Sequence, residues 1–394
     1  MTVAFRSFVR TLAANSALLR AATPPPSRLT LVLGNESADL DSMVSSIALA
    51  YALSQETSSP VIPVINTPRA DLVLRPECSL LLSHTLEATG GSLSSLTFID
   101  DVDLARHTAL DIWLVDHNAP ASRQSFLEPH VRGIVDHHVD EGRCLNAAER
   151  QIEVVASCAT LIAQRLGPLV DPVLAKLLIA PILVDSSNLN PAARRATPSD
   201  IACVQWLSSL VQWTPHKQPS TDLATAALDA SSPDDLYATL DSLKGMVSHL
   251  SPYDLLRKDY KQWQVADAKG KPWALGISSI SFPLKKWMKR DGPLIEQAIG
   301  HWIAKQNLDM ALVMTHGKTK ENGIKVYGRQ LIVAFSPDIK TGQMVVDRLA
   351  NVDILGLQLL EKTSGAWWFT QSRSESSRKQ VFPAIKHLLE RLDF

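Results

Sequence analysis

Apolar runs in the first 140 residues repeatedly end on carboxylates. LTLVLGNESADLD (29–41) leads to Asp39 and Asp41, LTFIDDVD (96–103) to Asp100, Asp101 and Asp103, LDIWLVDHN (110–118) to Asp116, and VRGIVDHHVDEG (131–142) to Asp136, His137 and His138. Runs this short and almost wholly apolar, separated by stretches of helical spacing, predict buried strands of a parallel sheet. DSMVSSIALAYALSQE (41–56) has that helical spacing, with a cap at Asp41 or Ser42. ASCATLIAQRLG (156–167) reads as a helix ended by Gly167-Pro168. DPVLAKLLIAPILVDSSNLN (171–190) reads as another, capped by Asp171, with Pro172 first, Pro181 a kink and Asp185 near its end. In open α/β sheets, functional groups gather outside the carboxyl ends of the strands. That places Asp39, Asp116 and His137 near one crevice.

The pattern loosens after residue 190, where Ser, Thr, Pro and Asp are frequent. WTPHKQPSTD (213–222) and DASSPDD (229–235) read as loop around short helices. From about 251, LGISSISFPL, LDMALVMTH, GRQLIVAFS and GAWWFT are strand candidates with helices between them. The predicted fold class is α/β: an N-terminal parallel-sheet domain with flanking helices (1–212), a linker region (213–250) and a smaller mixed α/β C-terminal domain (251–394).

Composition agrees with two globular domains, with 394 residues, 45% hydrophobic and 20% charged. The four cysteines have no paired spacing and predict small buried residues, neither a disulfide framework nor a zinc ribbon. No run reaches the ~18 uncharged apolar residues of a membrane span; VLAKLLIAPILVD is broken by Lys176 and Asp185. The expectation is therefore no membrane partner, while the unpaired cysteines predict a reducing compartment and a cytoplasmic protein. Arg6, Arg10, Arg20 and Arg28 precede the first acidic residue, Glu36, so a mitochondrial presequence and matrix location is the alternative to a short N-terminal helix. Charge is uneven: residues 1–250 hold 17 Lys and Arg against 26 Asp and Glu, and residues 251–394 hold 22 against 14. An acidic half can hold cations, and a basic half can attract an anion.

Asp39, Asp41, Asp116, His137 and Asp185 are all oxygen or imidazole donors on segments expected to converge. Crowded carboxylates repel and need a cation. Two metal ions close together meet that need, activate water and clamp a phosphoryl group.

NESADLDS, LVDHN, IVDHH and ILVDSSNL, in that order, resemble the four metal motifs of the Asp-His-His (DHH) phosphoesterase superfamily. SRKQVFP (377–383) resembles the C-terminal signature of the subgroup whose second domain is called DHHA2, which includes family II pyrophosphatases, prune proteins and fungal cytosolic exopolyphosphatases. NTPRADLVLR (66–75), ASCATLI (156–162) and LLRKDYKQW (255–263) resemble the exopolyphosphatase branch. The resemblance implies that Asp39 binds one metal, with Asn35 beside it. It implies that Asp41, His137 and Asp185 bind the other and that Asp116 bridges both. His138 would contact the scissile phosphate and help the departing oxygen, and Arg378 and Lys379 would hold substrate phosphates. His117 reads as structural or supporting. Asn35 stands where family II pyrophosphatases have His. An amide oxygen is the harder ligand, which favours Mg2+, with Mn2+ or Co2+ as alternatives for the two divalent ions.

The implied function is an exopolyphosphatase that removes terminal phosphate from inorganic polyphosphate with a two-metal-activated hydroxide, acting as a monomer. LKKWMKR (284–290) and HGKTKENGIKVYGR (316–329) are candidate contacts along the polyanion. The alternatives are an inorganic pyrophosphatase or prune-like short-chain phosphohydrolase, or a non-catalytic metal-binding regulator. Nucleic acid is not an expected partner, because no aromatic-interleaved basic motif offers base stacking. Neither a G-x-S-x-G elbow nor a G-x-x-x-x-G-K-[ST] loop is present. On the sequence alone, Asp41→Ala is expected to remove one metal and nearly all turnover while leaving the fold intact.

Overall fold

The computed structural model describes residues 3–21, 28–213, 230–321 and 323–392. The chain divides into two compact units, Met1–Lys244 and Gly245–Phe394. The loop expected at 213–222 falls almost wholly outside the described residues.

The first unit opens with α1 (Val3–Arg20), followed by β1 (Leu29–Leu33), α2 (Leu40–Glu56), β2 (Val61–Ile65), α3 (Pro76–Thr89), β3 (Thr97–Phe98), β4 (Leu110–Val115), β5 (Val131–Asp136) and β6 (Glu149–Ile152). Four helices complete it: α4 (Cys158–Leu166), α5 (Pro172–Asp185), α6 (Pro198–Leu210) and α7 (Pro233–Lys244). The sheet runs β3-β2-β1-β4-β5-β6, and every pairing is parallel. The chain winds outward from β1 in one direction through β2 and β3, and in the other from β4 through β6. The direction therefore reverses between β1 and β4, and the carboxyl ends of those two neighbours open a crevice.

One sheet face is covered by helices. Val32, Val115 and Val135 pack there with α2, α4 and α5. α2 is apolar nearly all round and is buried from Leu40 to Leu53, as a helix enclosed by others must be. On the other face, Leu31, Ile112 and Ile134 meet Leu104 and Leu127 from short 3-10 turns. Asp171 caps α5 by accepting from Leu174 N, and Pro172 is its first residue, as the sequence predicts. Residues 233–244, expected as part of a linker, form α7, whose Leu236 and Leu240 enter the first unit's core. Its Leu-x-x-x-Leu spacing was the available signal. The arginine-rich N-terminus is a helix bound into the same core by Phe5, Phe8, Val9 and Leu12.

The second unit comprises α8 (Pro252–Lys258), β7 (Tyr260–Ala266), β8 (Pro272–Ile280), α9 (Leu284–Asp291), α10 (Leu294–Gln306), β9 (Met310–Glu321), β10 (Ile324–Phe335), α11 (Gly342–Leu349), β11 (Leu357–Lys362), β12 (Ala366–Gln371) and α12 (Arg378–Leu389). Its sheet is mixed, in the order β11-β12-β10-β9-β8-β7, with β8 and β9 parallel and the rest antiparallel. The α/β class with a parallel first sheet and a mixed second one is as predicted. The four cysteines are buried and unpaired. Among the described residues, no helix is long and apolar enough to cross a membrane.

Candidate metal centre

The site forms where β1, β4 and β5 end. The turn after β1 is tight: a Cβ on Gly34 would lie 2.5 Å from Ser42 Oγ, and that hydroxyl accepts from Asn35 N at 2.7 Å. Asp39 ends the turn as the N-cap of α2, its Oδ1 accepting from Ser42 N at 3.1 Å. Asp41 follows in the first helical turn and is buried. Asp116 leaves β4 at φ +63, a left-handed conformation that costs a non-glycine residue energy and is common at functional sites.

Asp116, Asp136, His137 and His138 each offer a ligand atom, all within 4.8 Å of one another. His137 Nε2 lies 3.2 Å from Asp116 Oδ1 and 3.8 Å from Asp41 Oδ2. Its Nδ1 is held by the carbonyl of Val155 at 2.9 Å, so Nε2 is the nitrogen turned to the carboxylates. Asp185, at the end of α5, is close enough for the charges of Asp41 and Asp39 to act on it. The structure thus gathers Asp41, Asp116, His137 and Asp185, with Asp39 on the rim.

The crowding is legible in the protonation equilibria. Burial, and then the charge of Asp41, push Asp116 well above the usual carboxylate range. Burial raises Asp41 against the opposing pull of His137. Burial and Asp41 push Asp185 up to about 7. Carboxylates packed so closely fit a divalent cation, which would restore their charged forms.

Asp136 behaves differently. Burial works against its charge, but the hydrogen bond and charge of His138 hold it below the usual range. His138 Nδ1 sits 2.8 Å from Asp136 Oδ1, and Asn118 donates to Asp136 Oδ2 at 2.6 Å. Asp136 is therefore the group that orients His138; the signals available for that role were the first letter of Asp-His-His and the Asn of LVDHN. His117 turns its Nδ1 to the carbonyl of Val115 at 3.0 Å, outside the cluster.

Asn35 takes an orientation that a ligand reading does not anticipate. Its Oδ1 accepts from Ser37 N and Ala38 N at 2.8 and 3.2 Å, which turns its Nδ2 toward Asp116 Oδ2 at 2.5 Å. Here it steadies Asp116 through an N–H.

Two further segments brace these residues. Arg75, buried, donates from Nε and Nη2 to the carbonyl of Ser37 in the β1–α2 turn, and Asn66 Nδ2 donates to Gly34 O. Both belong to NTPRADLVLR. From ASCATLI, Ser157 Oγ and the N–H groups of Cys158 and Ala159 all donate to Asp41, at 2.8, 2.7 and 2.9 Å. In the second unit, Asp259 of LLRKDYKQW pairs with Arg378 at 2.7 Å, where Arg378 and Lys379 open α12.

A parallel sheet carrying Asp-His-His at the end of β5, next to the β1–β4 switch point, followed by a mixed-sheet unit, defines a class. The DHH family N-terminal domain matches residues 30–182, and the DHHA2 domain matches residues 238–388. A Schizosaccharomyces pombe protein provisionally named an exopolyphosphatase is 31% identical over 96% of this chain and 95% of its own. The Bos taurus and Homo sapiens proteins named exopolyphosphatase PRUNE1 are 30% and 28% identical, each over 94% of this chain and 78% of theirs. The chain belongs to the DHH phosphoesterase family, in the subgroup that carries a DHHA2 domain. A solved Methanococcus jannaschii structure, provisionally described as a family II inorganic pyrophosphatase, shares the fold with a TM-score of 0.62 at 19% identity, covering 91% of this chain and 99% of that one.

Proposed function

We propose that this phosphoesterase is an exopolyphosphatase that releases terminal phosphate from inorganic polyphosphate. The observation that carries the reading is the cluster of Asp116, Asp136, His137 and His138 beside Asp41, in a chain resembling exopolyphosphatases along almost its whole length. Asp116, Asp41, His137, Asp185 and Asp39 would hold two divalent ions; with Asn35 turned to donate to Asp116, its amide oxygen no longer argues for Mg2+ over Mn2+ or Co2+. Such ions lower the pKa of water and offset phosphoryl charge.

The chain's own groups do the rest. Asp116, strained and steadied by Asn35, would offer its carboxylate to the ions. His138, held by Asp136, would meet the scissile phosphate and give a proton to the departing oxygen. Asp136 beneath it supplies a negative partner for positive charge on the ring. Arg378 and Lys379 would hold phosphates, Arg by paired N–H groups and Lys as a point charge. The protein is proposed to act in the cytoplasm as a monomer.

The test is phosphate release, with Mg2+ and then Mn2+, from long-chain polyphosphate, tripolyphosphate, pyrophosphate and a short oligonucleotide, with Asp116→Ala beside each. Rapid release from polyphosphate and little from pyrophosphate is expected. Preference for pyrophosphate would overturn the substrate assignment and keep the metal centre. Absence of release from every substrate would leave a metal-binding regulator.

A further inference from the structure

The second unit separates its two lysine-rich segments onto opposite faces of one sheet. Along β9, Met310, Leu312 and Met314 point into the core formed with Val381 and Ile385 of α12. Alternation carries His316, Lys318 and Lys320 onto that same face. The register places Arg329, Tyr327 and Lys325 of β10 directly opposite them. Gly317, at an intervening position, faces the other way: a Cβ there would lie 2.7 Å from Pro283, which leads into α9. Lys285, Lys286 and Lys289 of α9 therefore belong to the opposite layer, where they are exposed.

The hairpin face is an unusual surface. Lys320 and Lys325 are direct cross-strand partners, an arrangement that is unfavourable in the absence of a counter-charge. Lys318, Lys320 and Lys325 are all exposed. Successive rungs stand ~7 Å apart along the strands and ~5 Å across them. At the base of the ladder, Arg329 Nε donates to Ser374 O at 2.7 Å, which joins it to the segment leading into Arg378 and Lys379.

We propose that the exposed end of the β9–β10 hairpin binds the body of an extended polyanion, inorganic polyphosphate, whose terminal phosphates are held at the start of α12. Lys318, Lys320 and Lys325 carry the chain, with Arg329 linking the two places. This rests on the exopolyphosphatase reading and names the residues that select chain length. Long flexible lysines at even spacing suit a polymer with charge on every unit. The ladder's rings, His316 and Tyr327, are tilted against each other with centroids 6.2 Å apart, whereas single-stranded nucleic acid is typically held on rings that take successive bases along its path.

The experiment compares full-length wild type, the triple variant K318Q/K320Q/K325Q and the α9 variant K285Q/K286Q/K289Q. Two quantities are read: equilibrium binding of fluorescently labelled long-chain polyphosphate in chelator, and the ratio of kcat/KM for long-chain polyphosphate to that for tripolyphosphate. The hairpin variant should lose about tenfold to a hundredfold in binding, with a smaller salt dependence, and the ratio should fall with it. The α9 variant should lose much less of both. Equal losses in the two variants, or an unchanged hairpin variant, would overturn the proposal. A competing oligonucleotide that depends on the hairpin more strongly than polyphosphate does would overturn the choice of polyanion. Binding is measured without turnover, so a wild type that binds polyphosphate through the hairpin but does not hydrolyse it would defeat the exopolyphosphatase reading and leave the ladder standing.

Discussion

Asp41 offers a sharp test, because the structure makes it a brace for α4 and the proposed metal centre would give it a second role. Its carboxylate accepts from Ser157 Oγ, Cys158 N, Ala159 N and Ser45 Oγ, closing the first turn of α4 against α2. Asp41→Ala leaves Cys158 N–H without that acceptor in a buried site, while Ala159 N keeps Ser157 Oγ at 3.3 Å. One orphaned buried donor costs about 1–3 kcal/mol, and losing an anion at a helix N-terminus costs about 0.3–1 kcal/mol. Against this stands relief, since burial and Asp39 make the charged carboxylate expensive. The net expectation in chelator at neutral pH is a loss of about 1–3 kcal/mol. That corresponds to roughly 2–12 °C in the transition of the first unit.

With Mg2+ at a hundred times its Kd, wild type gains about 2.7 kcal/mol that the variant does not, so the gap widens. Asp41→Asn, which keeps one oxygen acceptor, should fall between the two. The assay is thermal and urea unfolding of all three proteins, with and without metal. An Asp41→Ala protein more stable than wild type in chelator would refute the structural half of this reasoning. An equal gap with and without Mg2+ would refute the metal half. The sequence alone pointed to an intact fold in this variant, because the donors from 157–159 lie more than a hundred residues away in the chain.

Asp136→Asn should lower turnover about 10–100-fold, with metal affinity changed less, because it frees His138 to turn; equal kcat in the two proteins at every pH would oppose that role. Metal binding should release protons: burial and Asp41 push Asp185 up to about 7 and hold Asp116 well above the usual carboxylate range, so affinity should fall as pH drops through about 7. Titration calorimetry in buffers of different ionisation enthalpy measures this. For the metal-free protein the sign is opposite to that of a salt-bridged carboxylate: with folded pKa values raised, the folded state binds the extra protons, and stability should fall as pH rises from about 4 to 7. Phe5→Ala should cost about 3–5 kcal/mol, because Phe5 is 1% exposed and stacked edge-on against Tyr51; a wild-type unfolding midpoint would show that α1 is not part of the core. Arg75→Met should weaken metal binding through the β1–α2 turn without removing a ligand, and unchanged affinity would count against that brace.

Much of the first unit was determined locally. Apolar runs of strand length, a carboxylate after each and caps such as Asp171 all depend on neighbours a few residues away, so hydrophobic period and turn chemistry reveal them. β7 and β11 were not legible, because YKQWQVA and LQLLEK are half polar and gain strand character from their pairing partners. The donor types at the centre were likewise visible as a list of residues. Their assignment was not. Asn35 became a donor to Asp116 because two backbone N–H groups of its own turn occupy its oxygen. Asp136 became a partner of His138 because Asn118, from the neighbouring strand's loop, pins it. The lysines of α9 and of the β9–β10 hairpin look alike in sequence, and only strand register separates their faces, since one step along a strand reverses the direction of every side chain.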